Sequence, residues 1–385
     1  MPIPLDLACS LILLKGQQVD VYTVQDIVAA SSTLKKFRDL QTVSAEPLAV
    51  PDLPLGFSSS SPRSMFEPEP LVTEPDYVAM SLDAKGSSQV QDLLETAGPE
   101  TRLAIITQIC RSLVPLAQHS HGCRVVQKAL DVASLEERLA LAASFPPGKV
   151  VDCCVDVNAN HVMQKFIEVF TLDSSTAGFL DFFVDAICQP FTNTVARLSV
   201  HCYGCRVIQR LLARCLPHQK ERVLDGIVSS VGEMVADQFG NYVAQHALEF
   251  GRETDRDRII KVLSDRDLVM LSCNKFASNV VEKAVRLGDH SAGMLVLALS
   301  QLPDEQVLEI MRDRYGNYVI RAFLELSDGR LGRVRELVKD NSGSLKKFTY
   351  GWHLVEKLQT SSPLFGHRKR GRRNDENSNH PFGHC

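Results

Sequence analysis

From about Ala79 onward, apolar residues recur three to four positions apart, and little in the chain alternates as a strand would. In ADQFGNYVAQHALEFGRETDRDRIIKVLSD, the run that starts at Ala236, Val243, Ala247 and Leu248 fall on one face of a helix opening near Gly240. Gly251 suits the left-handed residue that closes such a helix. A second amphipathic helix then carries Ile259, Ile260 and Leu263 on its stripe. The same grammar places Leu211 and Leu212 at the end of one helix and Pro217 at the start of the next, where its missing N–H costs nothing. Each such unit has apolar faces that only a neighbouring unit can cover, so the units must stack.

A short string marks them. It reads GSSQVQ from Gly86, GCRVVQ from Gly122, ANHVMQ from Ala159, GCRVIQ from Gly204 and GNYVAQ from Gly240. It continues as ASNVVE from Ala277, GNYVIR from Gly316 and GWHLVE from Gly351. A period of 35 to 45 residues is the signature of a helical solenoid, in which each repeat contacts only its neighbours. The all-α solenoid is therefore the expected fold, over residues 79–360. The two long steps hold TLDSSTAGFL and LGDHSAGMLV, which read as loops on the solvated side. Residues 1–78 lack the string. Pro47 to Pro70 reads as a flexible linker, VYTVQDIVAA and STLKKFRDLQ as short helices, and a degenerate repeat has room there. Residues 361–385 form a basic tail whose HRKRGRR fits a solvated tail, an RNA-phosphate patch or a nuclear-import signal.

Composition removes several function classes. No run approaches the roughly 18–20 apolar residues of a membrane span, and MPIPLDLACSLILLKG lacks a basic leader and carries Asp6, so an intracellular protein is expected. Cys202 and Cys205 form a C-x-x-C without a second pair at zinc-finger spacing, and Cys205 sits where Cys123 sits in its own string, so no metal or cofactor is expected. Net charge is −4, which excludes nucleic-acid binding by bulk electrostatics but leaves room for binding by stacking and hydrogen bonds. His161, His201 and His246 are scattered, with no nucleophile–base set or phosphate loop, so no enzyme is expected.

The chemistry lies inside the string. Its second and sixth residues are four apart, one helical turn from each other on the same face. They pair as Asn160/Gln164 and Asn241/Gln245, as Cys123/Gln127 and Cys205/Gln209, and as Ser278/Glu282, with Ser87/Gln91 and Asn317/Arg321 at the two ends. The residue between adjacent pairs is in most units flat: Arg124, His161, Arg206, Tyr242 and Tyr318, with Asn279 in the Glu282 unit. Flat groups in register with hydrogen-bonding pairs suit the stacking and edge reading of unpaired bases. A merely solvated helix face would not repeat the same pairs in register.

YGCRVIQ, FGNYVAQ, HGCRVVQ and KFASNVVEK resemble the Pumilio (PUF) family of RNA-binding repeat proteins, and FTYGWHLVEKL resembles its C-terminal capping unit. The resemblance covers about Ala79 to Gln359. It implies a right-handed, curved superhelix of three-helix repeats with single-stranded RNA on the concave face, antiparallel, one base per unit. Seven units are then base readers, one fewer than the family's usual eight. By the same resemblance Asn/Gln implies uracil, Cys/Gln adenine and Ser/Glu guanine. Glu282, an acceptor-only carboxylate, matches the N1–H and N2–H donors of guanine. Read from the seventh unit back to the second, the pairs give 5′-UGUAUA-3′. Arg321 cannot accept the N3–H of uracil, so the 5′ base is expected to be read loosely, and the first unit has no flat group at Ser88, so its contact is expected to be weak and adenine-leaning. The resemblance further implies a monomer that binds UGUA elements of mRNA 3′ untranslated regions and represses translation or mRNA stability through effectors such as a deadenylase complex. It would act in the cytoplasm, with nuclear access through the basic tail. The alternatives are a nucleolar relative acting in rRNA processing, for which basic inner faces would be expected, and a helical peptide-binding scaffold.

Overall fold

Helices are the regular secondary structure of the described residues, with no strand among them. The computed structural model describes residues 75–361, apart from 173–175, 190–191, 289–291 and 349. The expectations for the N-terminal segments and linker and for the HRKRGRR tail lie outside the described residues. The chain divides into two compact units, Met1–Asp265 and Arg266–Cys385.

The first unit holds five repeats, each a short first helix, a middle helix that carries the string at or near its start, and a third helix. Repeat 1 comprises Tyr77–Ser81, Ala84–Thr96 and Pro99–Arg111; repeat 2, Leu113–Gln118, Gly122–Val132 and Leu135–Ala143; repeat 3, Val150–Val155, Ala159–Phe170 and Asp181–Ile187. Repeat 4 comprises Thr194–Ser199, Gly204–Arg214 and Pro217–Val228; repeat 5, Val231–Met234, Gly240–Phe250 and Glu253–Ser264. Middle helices of successive repeats pack side by side. The fourth and fifth residues of the string are the core of each, Val125/Val126, Val162/Met163, Val207/Ile208 and Val243/Ala244 all being fully buried. Ion pairs tie the middle helices of repeats 1 to 4 in succession: Glu95 to Lys128, Asp131 to Lys165 at 3.0 Å, and Glu168 to Arg210 at 3.2 Å.

Local chemistry sets the helix ends. Pro99 and Pro217 open third helices from their first turn. In repeat 2, Ser134 and Glu137 form a reciprocal capping box, Ser134 N–H donating to Glu137 Oε2 at 2.7 Å. Gln219 takes the same place in repeat 4, accepting from Leu216 N–H at 3.0 Å and donating to the Ala177 carbonyl at 2.9 Å, so one side chain caps its own helix and grips the preceding repeat.

Two expectations are corrected. Gly251 is extended (φ −74°, ψ 159°) and not left-handed. A Cβ there would lie 2.4 Å from the Ala247 carbonyl oxygen, so close approach of the chain, rather than handedness, calls for glycine. The left-handed closure occurs at Gly288, with φ 66°. The TLDSSTAGFL insertion is also more than a solvated loop. Its second half forms a 3₁₀ turn, Ala177–Leu180, with Ala177 and Leu180 buried and Thr176 Oγ1 donating to the Phe170 carbonyl at 2.9 Å.

The second unit holds two repeats and a cap. Repeat 6 comprises Leu268–Ser272, Ala277–Leu287 and Ala292–Gln301; repeat 7, Asp304–Arg312, Gly316–Glu325 and Gly332–Asp340; the cap, Ser342–Leu345 and Trp352–Ser361. Val280/Val281 and Val319/Ile320 continue the buried pattern, and Leu354 and Val355 of the cap are buried as well. Here Arg286 pairs with Glu325, which pairs in turn with Lys357 at 3.1 Å, linking three consecutive middle helices. The fold is thus an all-α solenoid of three-helix repeats.

Candidate nucleic-acid interface

Each middle helix starts from one turn built three residues upstream of the Gly or Ala of the string. Asp83, His119, Asp156, His201, Asp237, Asn274 and Asp313 each accept two backbone N–H groups at the helix entrance. For Asp237 these come from Phe239 at 2.8 Å and Gly240 at 2.7 Å; for His201, whose Nδ1 accepts, from Tyr203 at 3.2 Å and Gly204 at 3.3 Å. Orphan donors of the first turn are satisfied, and the string's second residue is delivered at a fixed place. The shared role of these seven residues is not among the expectations from the sequence, although D/H/N-x-x-G/A recurs in every repeat. This gives His201 a backbone-capping role. His246 Nδ1–H donates to the Tyr242 carbonyl at 3.0 Å.

The close approach behind this turn is shared by the repeats that hold glycine there. A Cβ on Gly122 would lie 2.7 Å from the Leu116 carbonyl oxygen, and one on Gly316 2.5 Å from that of Ile310. Repeats 3 and 6 hold Ala159 and Ala277 there, both fully buried.

The polar pairs are not two equivalent surface groups. The second residue of the string is buried in all seven repeats: Ser87, Cys123, Asn160, Cys205, Asn241, Ser278 and Asn317. The sixth residue, Gln91, Gln127, Gln164, Gln209, Gln245, Glu282 or Arg321, is half-buried. Only the third residue stands out in solvent, Tyr242 at 55% and Tyr318 at 41%, with Arg124, His161, Arg206 and Asn279 also exposed.

In the asparagine repeats the buried amide is locked. Nδ2 of Asn241 donates to the carbonyls of Asp237 and Gln238, both at 3.0 Å; Asn160 and Asn317 do the same to Asp156/Val157 and Asp313/Arg314. Both amide hydrogens are used, which fixes which end of the amide is nitrogen. The remaining Oδ1 accepts from Gln245 Nε2 at 3.2 Å, or in repeat 3 from Gln164 Nε2 at 3.1 Å. The glutamine is thereby oriented with its Oε1 and second Nε2–H left for a ligand, an acceptor beside a donor.

The cysteine repeats solve the same problem differently. Cys123 Sγ–H points to the Ser120 carbonyl at 3.4 Å and Cys205 Sγ–H to that of Cys202 at 3.6 Å. The C-x-x-C is thus one copy of this repeated arrangement. Burial pushes the Cys205 thiol up to about 11 and the Cys123 thiol upward as well, so both are protonated at neutral pH. Gln127 Nε2 donates to the Cys123 main-chain carbonyl at 3.0 Å, and Gln91 to that of Ser87 at 3.1 Å. In repeat 6, Oε1 of Glu282 accepts from Arg286 Nε at 3.0 Å. Arg321 breaks the pattern in repeat 7: its guanidinium lies over the Tyr318 ring, 5.0 Å from the centroid, and its Nε is buried without a partner.

Within repeats 2 to 4, the exposed residues sense one another. Burial lowers the His161 pKa below its ordinary 6.5, and the charges of Arg124 and Arg206 lower it further. Arg124, His161 and Arg206 therefore form a row of flat groups one repeat apart, with a neutral imidazole at its centre at pH 7.

Fold and site together define a helical-repeat protein that offers one pair of polar side chains and one adjacent exposed side chain per repeat. The sequence profile described as Pumilio-family RNA binding repeat matches residues 77–110, 112–143, 149–174, 195–228, 230–264, 267–291 and 306–330. Those stretches make up more than half of the chain, which belongs to this family of non-enzymatic RNA-binding repeat proteins. Similar proteins include the Pumilio domain-containing protein C6G9.14 of Schizosaccharomyces pombe, 31% identical over 76% of this chain and 41% of that one. Pumilio homolog 12 of Arabidopsis thaliana is 30% identical over 74% of this chain and 47% of its own. The chain thus spans less than half the length of these relatives. Among solved structures, PUF-8 in complex with PBE-RNA superposes with a TM-score of 0.62 at 25% identity, covering 74% of this chain and 92% of that one. The Puf3 RNA-binding domain bound to a Cox17 RNA 3′ UTR recognition sequence superposes with a TM-score of 0.61 at 28% identity, covering 74% and 83%.

Proposed function

We propose that this chain binds single-stranded RNA one base per repeat, with the RNA running antiparallel to the protein, at 5′-UGUAUA-like elements of mRNA 3′ untranslated regions. The observation that carries this reading is the oriented glutamine of the asparagine repeats. Its Oε1 matches the N3–H of uracil and its Nε2–H a uracil carbonyl, while Glu282 offers a carboxylate to the two donors of guanine. The exposed third residues supply stacking surfaces between successive bases.

Near-neutral repeats favour base reading over backbone binding, which speaks against the rRNA-processing alternative. Bound RNA would lower translation or mRNA lifetime through effectors recruited in the cytoplasm, a deadenylase complex being the class of partner expected, with the protein acting as a monomer. Selection from a random RNA pool tests the reading. Enrichment of UGUAUA-like sites is expected, and an unenriched pool or an unrelated motif would refute it.

A further inference from the structure

The cap repeats the backbone of the base-reading units but not their chemistry. A Cβ on Gly351 would lie 2.6 Å from the Leu345 carbonyl oxygen, the same close approach as at Gly122 and Gly316. Leu354 and Val355 are buried as the matching residues are in every repeat, and Lys357 pairs with Glu325 of repeat 7. Trp352 therefore stands where the seven repeats place a Ser, Cys or Asn of at most 5% exposure, yet it is 45% exposed. It is the chain's single tryptophan. His353, in the position of Tyr318, is exposed too, and its ring meets the indole edge-on, with centroids 5.2 Å apart and planes at 71°. Lys346 and Lys347, leading into the cap, are exposed.

We propose that Trp352 and His353 form a stacking subsite for one RNA nucleotide immediately 5′ of the element read by repeats 1 to 7. This deepens the function proposed above and rests on it, since the antiparallel RNA brings its 5′ end to the cap. An indole at the edge-reading position leaves no room for a hydrogen-bonded base edge, so the subsite takes a base by its face. Every base has such a face, and the contact selects for the presence of a base more than for its identity. Lys346 and Lys347, six and five residues before Trp352 in the chain, supply positive charge for the accompanying phosphates.

The single tryptophan makes the test direct. Three RNAs are compared at one salt concentration by anisotropy and by tryptophan fluorescence: UGUAUA, the same hexamer with a 5′ adenosine, and the hexamer with a 5′ abasic nucleotide. The adenosine extension is expected to bind roughly tenfold tighter than the abasic one and to quench Trp352. Trp352→Ala should remove that difference while leaving hexamer affinity unchanged, and Trp352→Phe should retain most of it. Equal binding of both extensions without quenching would overturn the subsite. So would a Trp352→Ala protein that binds all three RNAs weaker by one common factor, which would mark a packing role. Failure of the intact protein to bind the hexamer would instead overturn base reading by the repeats, and the subsite with it.

Discussion

Glu282 gives the sharpest test of base reading. Its side chain is 23% exposed, and Oε1 is held by the Arg286 guanidinium, with Nε and Nη2 both at 3.0 Å. The carboxylate has about four lone-pair sites; Arg286 engages those of Oε1 and fixes the rotamer and the charge, and Oε2 is left to accept from the guanine N1–H and N2–H edge. Glu282→Gln replaces one acceptor with an NH₂ donor aimed at a guanine donor. A charge-assisted hydrogen bond is worth about 1.5–3 kcal/mol, so guanine at this position should lose roughly ten- to a hundredfold in affinity. Adenine, which offers a donor and an acceptor on the same edge, matches the new amide and should gain. The fold should barely notice, since a partly exposed i,i+4 ion pair contributes about 0.3–0.5 kcal/mol and Arg286 keeps Glu325. The assay is anisotropy at fixed salt with four hexamers that differ only at the second base, beside a thermal melt. A Glu282→Gln protein that melts normally and keeps its guanine preference would refute the assignment.

Asn241→Ala should destabilise the first unit by about 1–3 kcal/mol, because it leaves two carbonyls without their side-chain donor, whereas Cys205→Ala removes only a weak S–H contact and should cost less; equal denaturant midpoints would contradict the locked amide. Arg321→Gln recreates the Asn/Gln pair in repeat 7 and should sharpen uracil selection at the 5′ base about tenfold, measured by competition among the four bases there. His161 should titrate below pH 6.5 by NMR, because burial and then Arg124 and Arg206 disfavour its charged form. The unfolded chain therefore binds the proton first, so this histidine's contribution to stability is complete above pH 6.5 and declines as pH falls below it; a titration midpoint at or above 6.5 would contradict this. At Glu325, burial pushes the carboxyl up but the Lys357 hydrogen bond and the Arg286 charge together bring it below its ordinary 4.5. The contribution to docking the cap is present above pH 4.5 and lost in stronger acid, and a Glu325→Gln protein should show a smaller acid-induced drop in melting temperature.

The repeats, their helices and the buried aliphatic pairs were legible because a period-3.6 pattern recurring every 35 to 45 residues leaves few other folds. The polar pairs were legible as pairs but not as unequal partners. Spacing puts Asn241 and Gln245 on one face; it does not say that a short amide at the first turn reaches back to the Asp237 and Gln238 carbonyls and sinks. Gly251 misled because a glycine after a helix fits two physical demands, and only the Ala247 carbonyl in three dimensions decides between them. The links Glu168–Arg210 and Arg286–Glu325 join residues 42 and 39 positions apart, so no local window contains them. The turn residues from Asp83 to Asp313 did leave a trace, a D/H/N three positions before each string, which a search confined to the string passes over.

The locked asparagines bear on how such a repeat changes its base over evolutionary time. Where Asn160, Asn241 or Asn317 stands, one amide both supports the turn and orients the glutamine, so a drift away from asparagine is opposed by folding before any RNA is met. Every turn is closed by the Asp, His or Asn three residues before the string, and where Cys123 or Cys205 stands the thiol adds only a weak S–H contact to it, so that position is freer to vary. Asparagine repeats should then be the slow-changing sites of a lineage and cysteine repeats its source of new target sequences.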